Sequence, residues 1–529
     1  MADLMRPIAR SLVLLIPATL LPLAAWVSSA QDGPQARPGL RPDQARALGR
    51  ISADSLKGHL SFLASDLLEG RETPSRGLDL AAEYIAAQFR RAGLEPVGDD
   101  GYFQTADWVY VEPDPSSFRL DIAVDGQSTR ARGDRVGVRW LRAHEIARAG
   151  LFKADYRASA GLEPGQVAGR AVVVEYPDVR RLGGPQGVAT RRSIAEFKAR
   201  MAALKPAMVV NIVRAADEAS GVVPRLLDPR TPSASEPSDD DPSGPPALSV
   251  HDPEIIALLD AIPPGQATAT ASCHLDEPTR RPVKLRNVVG LLRGSDPALK
   301  DTCVMVTAHY DHLGVRGPAG PDRIFNGAND DGSGTVSVVE IASALGTLER
   351  RPRRSILFAT FFGEEHGLLG SRYLGRHPVV PVEKTVADLN LEQVGRTDDA
   401  EGPQVARASL TGFGYSDVST TLAAAGEAEG VKVVKHPRNS DLYFGRSDNQ
   451  ALADLGVPAH TLCVAFEFPD YHGAADHWDK LDYPNMARVD RMVARALLAI
   501  ADDPNEPKWD EANPKAAKYL KAWKDRRAK

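Results

Sequence analysis

Ser355-Ile-Leu-Phe-Ala-Thr-Phe-Phe-Gly-Glu-Glu365 runs without a charge until it meets two adjacent carboxylates. An uninterrupted apolar run of this length reads as a strand buried on both faces, the kind found in parallel sheets. Two neighbouring carboxylates at the end of a buried strand are costly in desolvation and mutual repulsion unless a cation compensates. Metal ligation by one and general-base chemistry by the other is the economical reading. Residues 287–292, 304–308, 385–391 and 457–464 are comparable apolar runs, while 335–348 and 486–500 carry helical periodicity. Strands separated by helices predict an α/β fold, with a mostly parallel (mixed) sheet sandwiched by helices. In such sheets ligands bind beyond the carboxyl ends of the strands, so polar residues there come first as site candidates.

Four further clusters meet that condition. Ala308-His309-Tyr310-Asp311-His312 closes an apolar run, and a carboxylate two residues from a histidine can hold its ring in one orientation. Taken alone, such a histidine could equally be structural. Asn326-Gly-Ala-Asn-Asp-Asp-Gly-Ser-Gly334 precedes a helix, where a carboxylate is either a cap or a ligand, and Asp331 or Ser333 could cap unaided. Its glycine spacing is not that of a phosphate loop. Glu392 closes the run 385–391, and Asp470-Tyr471-His472 precedes the final helix. Nitrogen and oxygen donors without thiolate suit a catalytic zinc pair, in which two ions share a carboxylate and a free Glu takes a proton from water. There is no His-Glu-x-x-His helix and no Gly-x-Ser-x-Gly elbow, which removes support for single-zinc and serine-hydrolase readings.

With these segments in this order, the chain resembles the co-catalytic zinc aminopeptidases, a family that also includes glutamate carboxypeptidase II and, as degenerate relatives, transferrin receptors. The matching motifs are residues 308–314, 326–335, 361–371, 390–396 and 471–476; the stretch 60–104 is similar to the family's N-terminal helices, and 168–251 looks like a protease-associated domain. The resemblance implies two Zn2+ ions, one held by His309, Asp330 and Glu392 and the other by Asp330, Glu365 and His472. It further implies Glu364 as general base, Asp311 as the carboxylate orienting His309, and Tyr471 as the phenol steadying the oxyanion. Glu392 stands where many members have Asp, His477 where Thr is common and Asn449 where His is common; the last two changes are expected at the pocket rim. His312, His366 and His436 match no family ligand and are read as solvated loop residues.

Beyond the motifs, 529 residues exceed one ordinary core. The expected division is a signal peptide (1–30), a mobile leader (31–44), N-terminal helices (45–109), an inserted, β-rich protease-associated-like domain (110–276), a zinc peptidase domain (277–503) and a peripheral tail (504–529). Arg6 and Arg10 before an apolar stretch, with Ser28-Ser29-Ala30 at the cleavage point, predict a secreted or periplasmic protein without stable membrane insertion. A net charge of −6 without a basic run argues against a nucleic-acid partner. Cys273, Cys303 and Cys463 are expected in the core. The expected function is zinc-dependent removal of N-terminal residues from peptides. A glutamate-type carboxypeptidase remains the alternative, for which Arg316, Arg323, Arg396 and Arg446 could supply a carboxylate-binding patch, and a third possibility is a binding ectodomain with a dead site.

Overall fold

The computed structural model describes residues 39–528, apart from 139–141, 178–183, 215–220, 223–224, 228–244 and 317–320. The expected signal peptide, most of the leader and most of the Pro- and Ser-rich stretch 228–246 lie outside the described residues.

The principal sheet contains β1 (Phe103–Glu112), β2 (Thr279–Leu292), β3 (Cys303–His309), β4 (Ser355–Phe361), β5 (Thr385–Leu391), β6 (Arg407–Leu410), β7 (Lys432–Val434) and β8 (Ala459–Cys463). Their spatial order is β1-β2-β4-β3-β5-β8-β6-β7, with Arg225–Leu227 added beside β1. The central strands β4, β3, β5 and β8 run parallel, whereas β1, β2 and the β8–β6 pair are antiparallel. The sheet is therefore mixed, as expected, with its parallel part at the centre. Every residue of β3, β4, β5 and β8 is buried, which is why these strands read as continuous apolar runs.

Helices cover both faces. Along β3, Val304, Val306 and Ala308 pack into one layer and Cys303 and Met305 into the other. The first layer holds α1 (Pro42–Gly49), α2 (Ala53–Leu63), α3 (Arg76–Arg91), α4 (Gly334–Gly346) and α5 (Tyr483–Asp502). The second is completed by Leu374, Leu452 and the C-terminal segment, whose Trp509, Ala516 and Tyr519 are buried. The tail read as peripheral is thus part of the core. At the other end, α1 begins at Pro42, inside the stretch read as a leader, with Pro at the position of a helix where a missing N–H is harmless.

The helical spacing of Leu56, Leu60, Leu63 and Leu67 predicts a helix over 54–67, but α2 stops at Leu63 and Leu67 is 79% exposed. Ser65 adopts an extended backbone, and the following turn carries Arg71 into the interior, where it is only 1% exposed. A second sheet, formed by segments between Arg119 and Leu275, has its own hydrophobic clusters, among them Leu120, Ile122, Val210 and Ile255. It joins the principal sheet through β1 and β2, which pair antiparallel from Val288 opposite Phe103 to Thr279 opposite Glu112. All three cysteines are buried and free, so no bridge links the layers. No helix among the described residues is long and apolar enough to cross a membrane.

Candidate metal centre

Four adjacent parallel strands deliver the donors. His309 is the last residue of β3, Glu364 and Glu365 follow β4, Glu392 follows β5, and the chain leaving β8 reaches His472. The register levels these ends, with His309 opposite Phe361 and Thr307 opposite Asn390. Asp330 enters from the turn preceding α4.

Asp330 sits at the centre and divides its oxygens. Oδ1 lies 3.4 Å from His309 Nε2, and Oδ2 lies 3.1 Å from His472 Nε2. His472 Nε2 is also 3.4 Å from Glu365 Oε2. Donor atoms of His309, Asp330 and Glu392 lie within 4.8 Å of one another, as do those of His312, Asp330 and Glu365. The five expected ligands therefore converge, and Asp330 belongs to both groups. Glu364 stands beside them, its Oε2 4.0 Å from His309 Nε2.

Neighbouring polar groups leave these side chains little freedom. The carboxylate of Asp311 accepts from the backbone N–H of Glu364 at 3.0 Å and lies 3.5 Å from His309 Nδ1, whose hydrogen-bond partner is the backbone carbonyl of Asp311 at 3.2 Å, so this residue fixes both. Asp331, not Asp330, caps α4: its Oδ1 accepts from Gly334 N and Gln393 N, and its Oδ2 from His309 N. One carboxylate thereby ties α4 to β3 and β5 and frees Asp330 for ligation. Asp476 accepts from the backbone N–H groups of Asn329 and Asp330. Arg71, absent from the sequence-based site, donates to the carbonyls of Tyr310 (2.8 Å), Leu63 (2.6 Å), Asn326 (2.7 Å) and Gly327 (2.9 Å), and so joins the His309 loop to the Asp330 turn.

The electrostatics indicate what the cluster is built to hold. Burial pushes Glu392 up to about 7. Burial, reinforced by Glu392 and Glu365, pushes Glu364 well above the carboxylate range. Burial would also raise Asp330 and Glu365, but the adjacent imidazoles prevail, and Glu365 is held down at about 2. Burial disfavours charging His472, yet Asp330 and Glu365 lift it to about 10. Protons on imidazoles and acids thus offset a surplus of negative charge, the role divalent cations would take. The donor set also fits zinc sterically. Among the described residues His309 Nε2, Glu365 Oε1 and Glu392 Oε2 are buried without a hydrogen-bond partner, although buried polar atoms are nearly always satisfied.

His312 requires a correction. Expected as a solvated loop residue, it is fully buried, and its Nδ1 lies 2.8 Å from Glu365 Oε1. Tyr471, 47% exposed as a residue, stacks on the His472 ring at 4.0 Å, and partial desolvation of its hydroxyl together with the nearby carboxylates keeps the phenol protonated. Asn449 is not on the pocket rim. It is wholly buried and accepts from Thr461 Oγ1, which lines the cavity, while His477 lies 3.3 Å from Asp322. The donor cluster forms one wall of a cavity of about 250 Å³ that Tyr443, Arg446 and Phe466 also line.

A parallel-centred α/β sheet with clustered imidazole and carboxylate donors at its carboxyl edge gives an α/β protein with a candidate metal site. Residues 287–497 match the sequence profile of Peptidase family M28. A "Probable zinc metalloprotease" of Pyricularia oryzae is 29% identical over 208 residues, covering 38% of this chain and 39% of its own length. This chain thus spans well under half of that relative. Among solved structures, an aminopeptidase from Aneurinibacillus sp. strain AM-1 superposes with a TM-score of 0.62 at 19% identity, covering 89% of this chain and 98% of its own. A zinc aminopeptidase from Bacillus subtilis gives a TM-score of 0.55 at 18% identity, covering 88% and 97%. At these identities the likeness establishes a common fold.

Proposed function

We propose that the protein is a zinc-dependent exopeptidase that removes N-terminal residues from peptides. The observation that carries this reading is the convergence of His309, Asp330, Glu365, Glu392 and His472 around a carboxylate presenting one oxygen to each side. His309, Asp330 and Glu392 would hold one zinc, and Asp330, Glu365 and His472 the other. Bound zinc would polarise the scissile carbonyl and lower the pKa of the attacking water. Glu364, fixed through its backbone by Asp311, takes the proton from that water and returns it to the departing amine. The protonated phenol of Tyr471 donates to the developing oxyanion.

The choice of peptide end rests on charge. A substrate α-ammonium entering the cavity meets the carboxylates of Glu364, Glu365 and Glu392, whereas a C-terminal carboxylate would need cations. Of the four arginines considered for that purpose, Arg446 alone is among the described residues lining the cavity, where it lies over Tyr443. Arg396 is engaged by Asp398 and Asp470, and Arg316 donates to the Leu313 carbonyl. The test is a panel of free and N-acetylated dipeptides and aminoacyl anilides, assayed with and without a chelator. Cleavage of the free-amine substrates alone, abolished by the chelator and restored by zinc, is expected. Preferential release of acidic C-terminal residues from N-acetylated substrates would replace this reading with carboxypeptidase action, and full turnover in chelator would remove zinc from it.

A further inference from the structure

His312 has no role in the ligand assignment above, yet its placement is difficult to explain by packing. Both ring nitrogens are buried and, among the described residues, neither makes a hydrogen bond. The same holds for Glu365 Oε1, only 2.8 Å from His312 Nδ1. Two polar atoms at that separation without hydrogen-bond alignment face a shared point, as two ligands of one ion do. Glu365 Oε2 has His472 beside it, but an imidazole and a carboxylate oxygen stripped of water and out of hydrogen-bond alignment carry a substantial penalty without a third party.

The ring is also actively placed. The backbone N–H of His312 donates to the carbonyl of Arg71 at 3.2 Å. Its imidazole packs closely against Gly327, where an added Cβ would stand 2.3 Å from His312 Cγ. Gly327 has φ +58°, so glycine there meets both the backbone and the steric requirement. On the other side, the His312 and His472 rings meet edge to face at 5.8 Å.

We propose that His312 is a direct donor to the second ion, which then has Asp330, Glu365, His472 and His312, while the first has His309, Asp330 and Glu392. The inference rests on the two-zinc reading and adds an inequality to it. A position with four protein donors is closed in the manner of a structural zinc, and one with three leaves room for water or substrate. The second ion is therefore retained longest, and the first is the exchangeable one.

The test is zinc stoichiometry and affinity of the full-length protein and of His312→Ala, measured by competition with a chromophoric chelator, together with visible absorption of the cobalt-substituted proteins. The natural protein should bind two ions in two classes of affinity. His312→Ala should weaken the tighter class about 100-fold, the upper end of the range for losing even an indirect partner, and its cobalt spectrum should shift as one nitrogen donor is lost. His312→Gln, with circular dichroism as a check, guards against a folding defect and should show the same loss. Unchanged affinity and spectrum in a folded variant would overturn the inference, as would weakened affinity with an unchanged spectrum, which would make His312 a positioning partner of Glu365. A natural protein that binds no zinc would instead defeat the functional reading itself.

Discussion

The carboxyl edge of the principal sheet and the second sheet between Arg119 and Leu275 are held together by different forces. At the edge, buried charges reach across elements: Arg71 binds carbonyls from three segments, Asp331 caps α4 while gripping β3 and the residue after Glu392, and Asp476 holds the Asp330 turn. In the second sheet, buried Val, Ile and Leu form the centre, and charged residues such as Arg214, Glu175 and Asp260 pair at the surface. The contrast teaches that position and stability are supplied separately. Hydrophobic burial makes a sheet stable but tolerates small shifts, whereas paired buried charges tolerate few and so suit a place where donors must meet within tenths of an ångström.

Substitutions at the two places should therefore behave differently. The largest effect is expected for Glu364→Gln, which should lower kcat by about 10²- to 10⁴-fold while zinc content and the unfolding midpoint stay unchanged; normal turnover would remove Glu364 from the chemistry. Next comes Arg71→Met, which leaves buried carbonyls unsatisfied beside the acidic cluster. It should cost about 3–5 kcal/mol in denaturant unfolding and weaken zinc retention together with stability. If zinc affinity survived intact, Arg71 would be a packing residue and the contrast would lose its best example.

A pH experiment probes the principal sheet away from the donor cluster. His460 is fully buried, with Nε2 2.7 Å from Ser416 Oγ and Nδ1 2.9 Å from the Thr411 carbonyl, and burial pushes it down to about 4. The folded state thus keeps this ring neutral, with Nδ1–H donating to Thr411 and Nε2 accepting from Ser416. The unfolded chain takes up a proton below its ordinary value near 6.5, so the contribution is complete above that pH and is lost on acidification down to about 4. The full loss is on the order of 3 kcal/mol, and His460→Gln should flatten the corresponding part of the unfolding-midpoint profile. The smallest effect belongs to the second sheet. Ile212→Val, at a residue 1% exposed, should cost about 0.5–1.5 kcal/mol and leave kcat/KM unchanged; a fall in activity would mean that the two regions are mechanically coupled.

How much of this was legible in the sequence follows from the same contrast. Strands β3, β4 and β5 announced themselves because burial on both faces imposes unbroken apolar runs, and their polar ends marked the edge where donors collect. The α/β class was therefore readable before any fold was known, whereas His309, Asp330, Glu365, Glu392 and His472 were singled out as one set by the motif resemblance. Arg71 was not, because in Leu-Leu-Glu-Gly-Arg-Glu it resembles a surface arginine. Its burial follows from Gly70, whose φ of +68° and close approach to the Phe325 and Gly314 backbones no local pattern specifies. His312 was misread for a similar reason: nothing in its spacing distinguishes a solvated loop ring from one pressed against Gly327 in the next loop. The early end of α2 at Leu63 belongs with these, since the helical pattern continued through Leu67 while the tertiary need to bury Arg71 ended it.

The β1–β2 ribbon has one more consequence. Because Glu112 and Thr279 face each other as register partners, the chain departs from the principal sheet and rejoins it at a single point. Apart from the edge segment Arg225–Leu227, everything between could be replaced by a hairpin turn without shifting any remaining strand by a residue. The principal sheet thus has a docking port in its own hydrogen-bond ladder, through which a whole accessory body can be exchanged while the donor-bearing edge stays aligned.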